Sequence, residues 1–171
     1  LDCSAFEGLN AEGQRVLNTH LPWSNARIYW DAGRDDEGYD RIDRASTAPT
    51  EYKGQWNYWS FTKDLNTKRM RIYLNGNLWF IGPGKKKTME GITSFMIGAN
   101  GNASKYFYRG RIDDFSVFNT VLADTSIRRW MLEAANPSLP NYQNLQAYYA
   151  FDEAEGFTTS DQGPYQYTGM L

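Results

Sequence analysis

The sequence predicts an all-β protein, an antiparallel two-sheet β-sandwich with one short helix near residues 125–135. Three observations carry this. Short segments alternating apolar and polar residues recur through the first two-thirds of the chain, as strands with one wet face do. Turn residues separate them at the spacing of a sandwich and not of βαβ units. Aromatic residues make up 16% of the 171 positions, a share that suits half-buried pleated surfaces. The length suffices for one sizeable core and is short for two comfortable domains.

The elements follow in order. Arg27-Ile28-Tyr29-Trp30-Asp31 runs into Ala32-Gly33, and Trp56-Asn57-Tyr58-Trp59-Ser60-Phe61-Thr62 runs into a polar turn at 63–67. Arg69-Met70-Arg71-Ile72-Tyr73-Leu74 alternates, and Asn75-Gly76 then offers two positions tolerant of positive φ. A two-residue hairpin is expected there, with Leu78-Trp79-Phe80-Ile81 returning antiparallel. Residues 95–98 and 111–118 read as two further strands. Asp124-Thr125-Ser126 supplies helix caps, with Ile127, Trp130, Met131 and Ala134 at helical spacing. Asn136-Pro137 is the expected stop. The expected domains are a sandwich over 1–136, a linker over 137–144, and a strand motif over 145–171.

Composition removes several functions. Eighteen Lys and Arg against twenty Asp and Glu give a net charge of −2, which offers no field for gripping a phosphate backbone, so no nucleic-acid partner is expected. No apolar run is long enough for a membrane-spanning helix. Cys3 is the one cysteine and His20 the one histidine. An internal disulfide, a cysteine cluster and a multi-histidine zinc site are therefore excluded.

Several separate motifs resemble one family. Trp59-Ser60-Phe61-Thr62-Lys63-Asp64, Ile72-Tyr73-Leu74-Asn75-Gly76, Ile97-Gly98 and Tyr108-Arg109-Gly110-Arg111-Ile112-Asp113-Asp114-Phe115-Ser116-Val117-Phe118-Asn119 are similar, in order and gaps, to laminin-G-like domains of the concanavalin A-like superfamily. The stretches 15–18 and 28–33 look like earlier strands of such domains in secreted bacterial proteins. The resemblance implies a jelly-roll sandwich at the cell surface or secreted, within a larger chain. The family's opening strand motif stands instead at the C-terminal end, as Ala147-Tyr148-Tyr149-Ala150-Phe151-Asp152-Glu153-Ala154-Glu155-Gly156. Two accounts follow: the chain runs from one domain into the next module, or its last strands complete the sandwich in permuted order.

Candidate sites divide by chemistry. Glycosidases flank one bond with two carboxylates, and the alternating Glu-x-Asp-x-Glu spacing of sandwich glycosidases is absent. Asp113 and Asp114 are adjacent, so on a strand they would point to opposite faces. No nucleophile-elbow motif accompanies His20, which reads as a packed strand end. The resemblance implies a structural calcium ligand at Asp113. Asp31, Asp35, Asp36 and Asp40 read as a solvated, salt-bridged turn interleaved with Arg34 and Arg41, and Lys85-Lys86-Lys87 as a cationic loop tip. Candidate stacking rings are Trp23, Trp30, Tyr39, Trp56, Tyr58 and Trp79, with Trp56, Tyr58, Trp30, Tyr39 and Trp79 as the expected ligand-binding set. The expectation is a non-catalytic binding module, for carbohydrate first, with a protein–protein adhesion or architectural module as the alternative. A polysaccharide-degrading enzyme ranks below both.

Overall fold

The computed structural model describes residues 2–153 and 155–170; Ala154, within the C-terminal strand motif, lies outside the described residues. The chain divides into two compact units, Leu1–Arg109 and Gly110–Leu171.

The first unit is the sandwich. Its strands are β1 (Ser4–Leu9), β2 (Arg15–His20), β3 (Arg27–Asp35), β4 (Gly38–Ala45), β5 (Trp59–Asp64), β6 (Arg69–Leu74), β7 (Asn77–Pro83) and β8 (Ser94–Ile97). One sheet runs β4-β3-β2-β1-β8 and the other β5-β6-β7, every pairing being antiparallel. Period-two alternation builds the core between them. Ile28, Trp30 and Ala32 of β3 and Ile42 of β4 meet Met70 and Ile72 of β6, with Phe6, Leu17, Trp59, Phe61 and Phe80 packed around them. Trp30 fixes the two sheets to each other twice. Its ring lies 5.5 Å from that of Phe61, and its indole N–H donates to the Thr62 carbonyl at 3.2 Å.

The expected hairpin forms as read. Asn75 and Gly76 take φ of 50° and 73°, and Leu74 pairs with Asn77 across the turn. Trp59 and Phe61 stack at 6.2 Å on the core side, as their alternation requires. Trp56, Asn57 and Tyr58 precede β5, so strand alternation does not govern where they point.

The lysine run is a docked loop rather than a free cationic tip. Lys87 Nζ pairs with Asp35 at 2.6 Å, and its backbone N–H donates to Asp40 at 2.9 Å. Asp40 also takes the Lys63 ammonium at 2.6 Å, a side chain fully enclosed, which donates in addition to the Ala32 carbonyl. Burial lowers the Lys63 pKa, opposed by the bond and charge of Asp40. The loop comes so close to β3 that only glycine fits beneath it.

In the second unit β9 (Phe115–Phe118) pairs with β10 (Leu145–Tyr149), and β11 (Thr158–Ser160) with β12 (Thr168–Met170). The strand expected over 111–118 begins only at Phe115, because Asp114 adopts φ of 50° and breaks the extended run. Asp114 instead accepts the Tyr148 hydroxyl, which together with burial raises the Tyr148 pKa. Helix α1 (Asp124–Leu132) is shorter than expected, since Glu133 is already extended. No side chain caps its start. Ser126 turns to Asn141 at 3.3 Å, and Trp130 buries its ring against Phe118 at 4.8 Å. Ala134 falls beyond the helix and is exposed. The buried Asp161 carboxylate gathers three backbone N–H groups, from Tyr148, Gly163 and Tyr167. Phe157, Tyr165, Tyr167 and Met170 are exposed.

Gly33 sits at φ of 81°, and a Cβ there would lie 2.1 Å from the Lys87 carbonyl oxygen. The Gly33→Ala variant is expected to lose about 2–4 kcal/mol, from left-handed strain plus displacement of the loop. Urea unfolding measures the loss.

Candidate ligand-binding site

The face of the five-stranded sheet that turns away from the core is polar. On β3 the alternation that buries Ile28, Trp30 and Ala32 sends Tyr29 and Asp31 to this face. Register does the rest. Asn18 and His20 of β2 lie opposite Asp31 and Tyr29, Arg41 and Asp43 of β4 lie opposite the same two residues, and Glu7 of β1 lies opposite Asn18. A register shift between Gly8 and Leu9 leaves Val16 out of the pairing and turns Arg15 onto the same face.

Asp31, 0% exposed, is the centre of this face. Arg41 grips it with two bonds, Nε at 2.6 Å and Nη2 at 2.8 Å, and Arg15 adds Nη1 at 3.0 Å. Arg15 Nε also bonds Glu7, whose second oxygen takes the Gly101 N–H. Tyrosine rings hold the guanidiniums in place: Arg41 lies 4.7 Å from the centre of Tyr29 and 5.1 Å from that of Tyr39, and Arg15 lies 5.6 Å from that of Tyr39. The bond and charge of Asp31 raise the Arg41 pKa against the effect of burial.

A pocket of about 250 Å³ opens beside this network, lined by Arg15, His20, Trp23, Tyr29, Arg41 and Tyr106. Three of the six lining residues, Trp23, Tyr29 and Tyr106, are aromatic, and the His20 imidazole joins them. Trp23 lies 4.3 Å from the His20 ring and 5.1 Å from Tyr106. Tyr106 has φ of 57°, a strained state for a bulky residue, held by Ser4 N–H donating to its carbonyl at 2.7 Å. Drug-sized ligands occupy roughly 300–1,000 Å³, so this pocket suits a single small ring.

His20 is buried. Its Nδ1 lies 3.2 Å from Ser4 Oγ and 3.3 Å from the Cys3 carbonyl, and that carbonyl can only accept, which favours a proton on Nδ1. Burial, then repulsion from Arg15, pushes the imidazole pKa down to about 4. The ring is therefore neutral at physiological pH, and the adjacent Ser4 is fully enclosed.

The expected stacking rings scatter. Tyr39 belongs to the arginine clamp, at the pocket's margin. Trp30 is 5% exposed and presents no ring face to solvent, because it shares the β3 face of Ile28 and Ala32. Trp79 is enclosed on several sides, edge-on to Trp59 at 5.4 Å, under Arg44 at 4.9 Å and donating to Glu51 at 3.1 Å. Burial acts to raise the Glu51 pKa, and bonds from Ser46, Trp79 and Thr47 outweigh it, holding it at about 2. Trp56 is 63% exposed and Tyr58 half-buried, away from the pocket lining. Asp31 is a buried strand residue and not part of a solvated turn; Asp35 and Asp40 are salt-bridged to lysines, and Asp36 is exposed. Asp113 is an exposed carboxylate that accepts from the Asp114 N–H. Calcium takes six to eight oxygen ligands, and among the described residues no three His, Cys, Asp or Glu side chains gather as a metal site would require.

Arg15, His20, Tyr29, Arg41 and Tyr106 did not stand out as a set in the sequence. The available signal was the apolar Ile28, Trp30 and Ala32, which by alternation hand the opposite face to Tyr29 and Asp31. Nothing local brings Arg15 and Tyr106 to that face.

The chain belongs to the concanavalin A-like lectin/glucanases superfamily, whose laminin-G model matches residues 6–128. A solved structure of a proposed carbohydrate-binding protein from Bacteroides ovatus is similar over 98% of this chain and 50% of its own, with 17% identity and a TM-score of 0.63. This chain thus spans half the length of that relative. The CBM40 domain of a Ruminococcus gnavus IT-sialidase aligns over 63% of this chain and 59% of its own, at 18% identity and a TM-score of 0.43. An S-layer domain-containing protein of Clostridium thermocellum aligns over 75% and 62%, at 16% identity and a TM-score of 0.36. No curated protein matches. At 17% identity the likeness to the Bacteroides ovatus structure concerns the fold alone.

Two stability outcomes follow. Removing the Asp31 carboxylate leaves two inward-facing guanidiniums without their anion, so Asp31→Ala is expected to cost about 3 kcal/mol in urea unfolding. Between pH 6.5 and 4 the unfolded chain binds the proton that folded His20 refuses. Stability is therefore full above pH 6.5 and falls by roughly 3 kcal/mol as pH drops towards 4. Urea midpoints at pH 7, 5.5 and 4.5 should show that slope, and His20→Asn should flatten it. Glu51 contributes its own loss only below about pH 4.5.

Proposed function

We propose that this protein is a non-catalytic carbohydrate-binding module of an extracellular multidomain protein, and that the pocket on the outer sheet face is its binding site. The observation that carries the reading is the pairing of an aromatic wall with fixed polar donors in one small open pocket. Trp23, Tyr29 and Tyr106 supply flat faces for the C–H side of a sugar ring. Arg15 and Arg41 supply N–H donors for its oxygens, already oriented by Asp31 and Glu7. The fold shared with the Bacteroides ovatus protein supports the same reading.

The chemistry around the pocket argues for binding over turnover. A glycosidase needs two carboxylates that reach the scissile bond. Glu7 and Asp31 lie on the right face, but both are buried beneath arginines and spent on them. A serine nucleophile must be reachable and activated by a histidine oriented by an acid. Ser4 is enclosed, and the His20 nitrogen nearest it also faces the Cys3 carbonyl.

A glycan array followed by titration calorimetry tests the proposal. Trp23→Ala and Tyr29→Ala should each weaken binding of the glycan identified at least tenfold, with the thermal unfolding transition retained. Loss on Trp56→Ala, with Trp23→Ala unaffected, would move the site to the loop before β5. An array with no binder would refute the carbohydrate reading.

A further inference from the structure

We propose that the pocket selects saccharides carrying a carboxylate over their neutral counterparts. This rests on the carbohydrate-binding reading and names the ligand class for that site.

The argument begins with which charges a ligand meets. Counted as residues, the network is neutral: Arg15 and Arg41 against Glu7 and Asp31. Counted by exposure, it is not. The Asp31 and Glu7 side chains are 0% and 6% exposed, whereas those of Arg15 and Arg41 are 21% and 34% exposed. The anions lie beneath and the cations above, so a ligand entering from solvent meets guanidinium first. The nearest other pair on this face, Arg27 with Asp43, is internally balanced. Lys105 adds a third cation, its ammonium 4.9 Å from the centre of the Tyr106 ring that lines the pocket.

Donor bookkeeping points the same way. Arg15 spends Nε on Glu7 and Nη1 on Asp31. Arg41 spends Nε on Asp31, and Nη2 on Asp31 and the Tyr39 hydroxyl. Arg15 Nη2 and Arg41 Nη1 make no hydrogen bond to the described residues. Each arginine therefore keeps one nitrogen with two N–H donors after its internal bonds are made. To the charge-assisted bond that a hydroxyl accepts from a guanidinium, an ionised carboxylate adds charge–charge attraction and the geometry to accept two N–H groups at once.

Preorganisation makes those donors effective. A surface arginine loses rotamer freedom when it binds, which offsets much of the gain. Here the freedom is already removed by the Asp31 fork and by the rings of Tyr29 and Tyr39 on Arg41. The aromatic wall then distinguishes an acidic sugar from a bare anion, since a free carboxylate has no ring to lay against Trp23 or Tyr106.

The test uses the whole chain on an immobilised panel of paired glycans, each acidic glycan beside its carboxyl-reduced counterpart, followed by titration in solution. The acidic member of at least one pair should bind at least tenfold more tightly. Its affinity should fall between 0.05 and 0.5 M NaCl, as an ionic contact at a partly exposed site must. Arg41→Lys keeps the charge and removes the planar fork; it should reduce the acidic-over-neutral ratio while the circular dichroism spectrum stays native. The salt series needs no variant, so it stands even if Arg41→Lys fails to fold. Equal or tighter binding of the reduced glycans would overturn this proposal and leave the carbohydrate reading intact. Equal binding of free acetate or glucuronate-free polyanions would overturn it as well, by showing an unspecific anion site. Binding to no member of any pair would remove both.

Discussion

The outer sheet face depends on one buried carboxylate. Asp31 sits in the central part of a five-stranded sheet with no exposure, and such a charge is tolerated only when fully paired. The pairing recruits Arg41 from the neighbouring strand on one side and Arg15 from the strand on the other. Through Arg15 it reaches Glu7, and through Glu7 the backbone of Gly101. Four consecutive strands, β1 to β4, and the distant Gly101 are thereby joined in one network.

That tie also shapes the pocket. The guanidiniums bound to Asp31 lie over the rings of Tyr29 and Tyr39, and they line the pocket together with Trp23 and Tyr106. The buried neutral His20 completes the wall without adding charge. The same bonds that offset the desolvation of Asp31 also fix the positions of the Arg15 and Arg41 guanidiniums that line the pocket.

Much of the fold was legible from local signals. The Asn75-Gly76 turn, the return of β7, the core orientation of Trp59 and Phe61, and the β8 strand all follow from positive-φ tolerance and period-two alternation. The misread places were those where a longer-range contact overrode a local preference. Ser126 serves Asn141 instead of capping α1. Asp114 leaves the extended state and bonds Tyr148. The lysine run docks on Asp35 and Asp40. Of the expected ligand-binding rings, Tyr39 lies at the site's edge, whereas Trp30 and Trp79 are committed to packing and Trp56 and Tyr58 lie elsewhere.

By itself the sequence determined the sandwich, its hairpin and its family, because these rest on residues close in the chain, where alternation and turn chemistry act. It also excluded an internal disulfide and a multi-histidine zinc site by counting: one cysteine and one histidine. Only the tertiary structure decided which aromatic rings line the pocket and which fill the core. That choice depends on strand register and on a one-residue irregularity in β2, each of which turns a side chain from one face to the other. It also decided that, within the network of Arg15, Arg41, Glu7 and Asp31, the carboxylates are enclosed and the guanidiniums partly exposed.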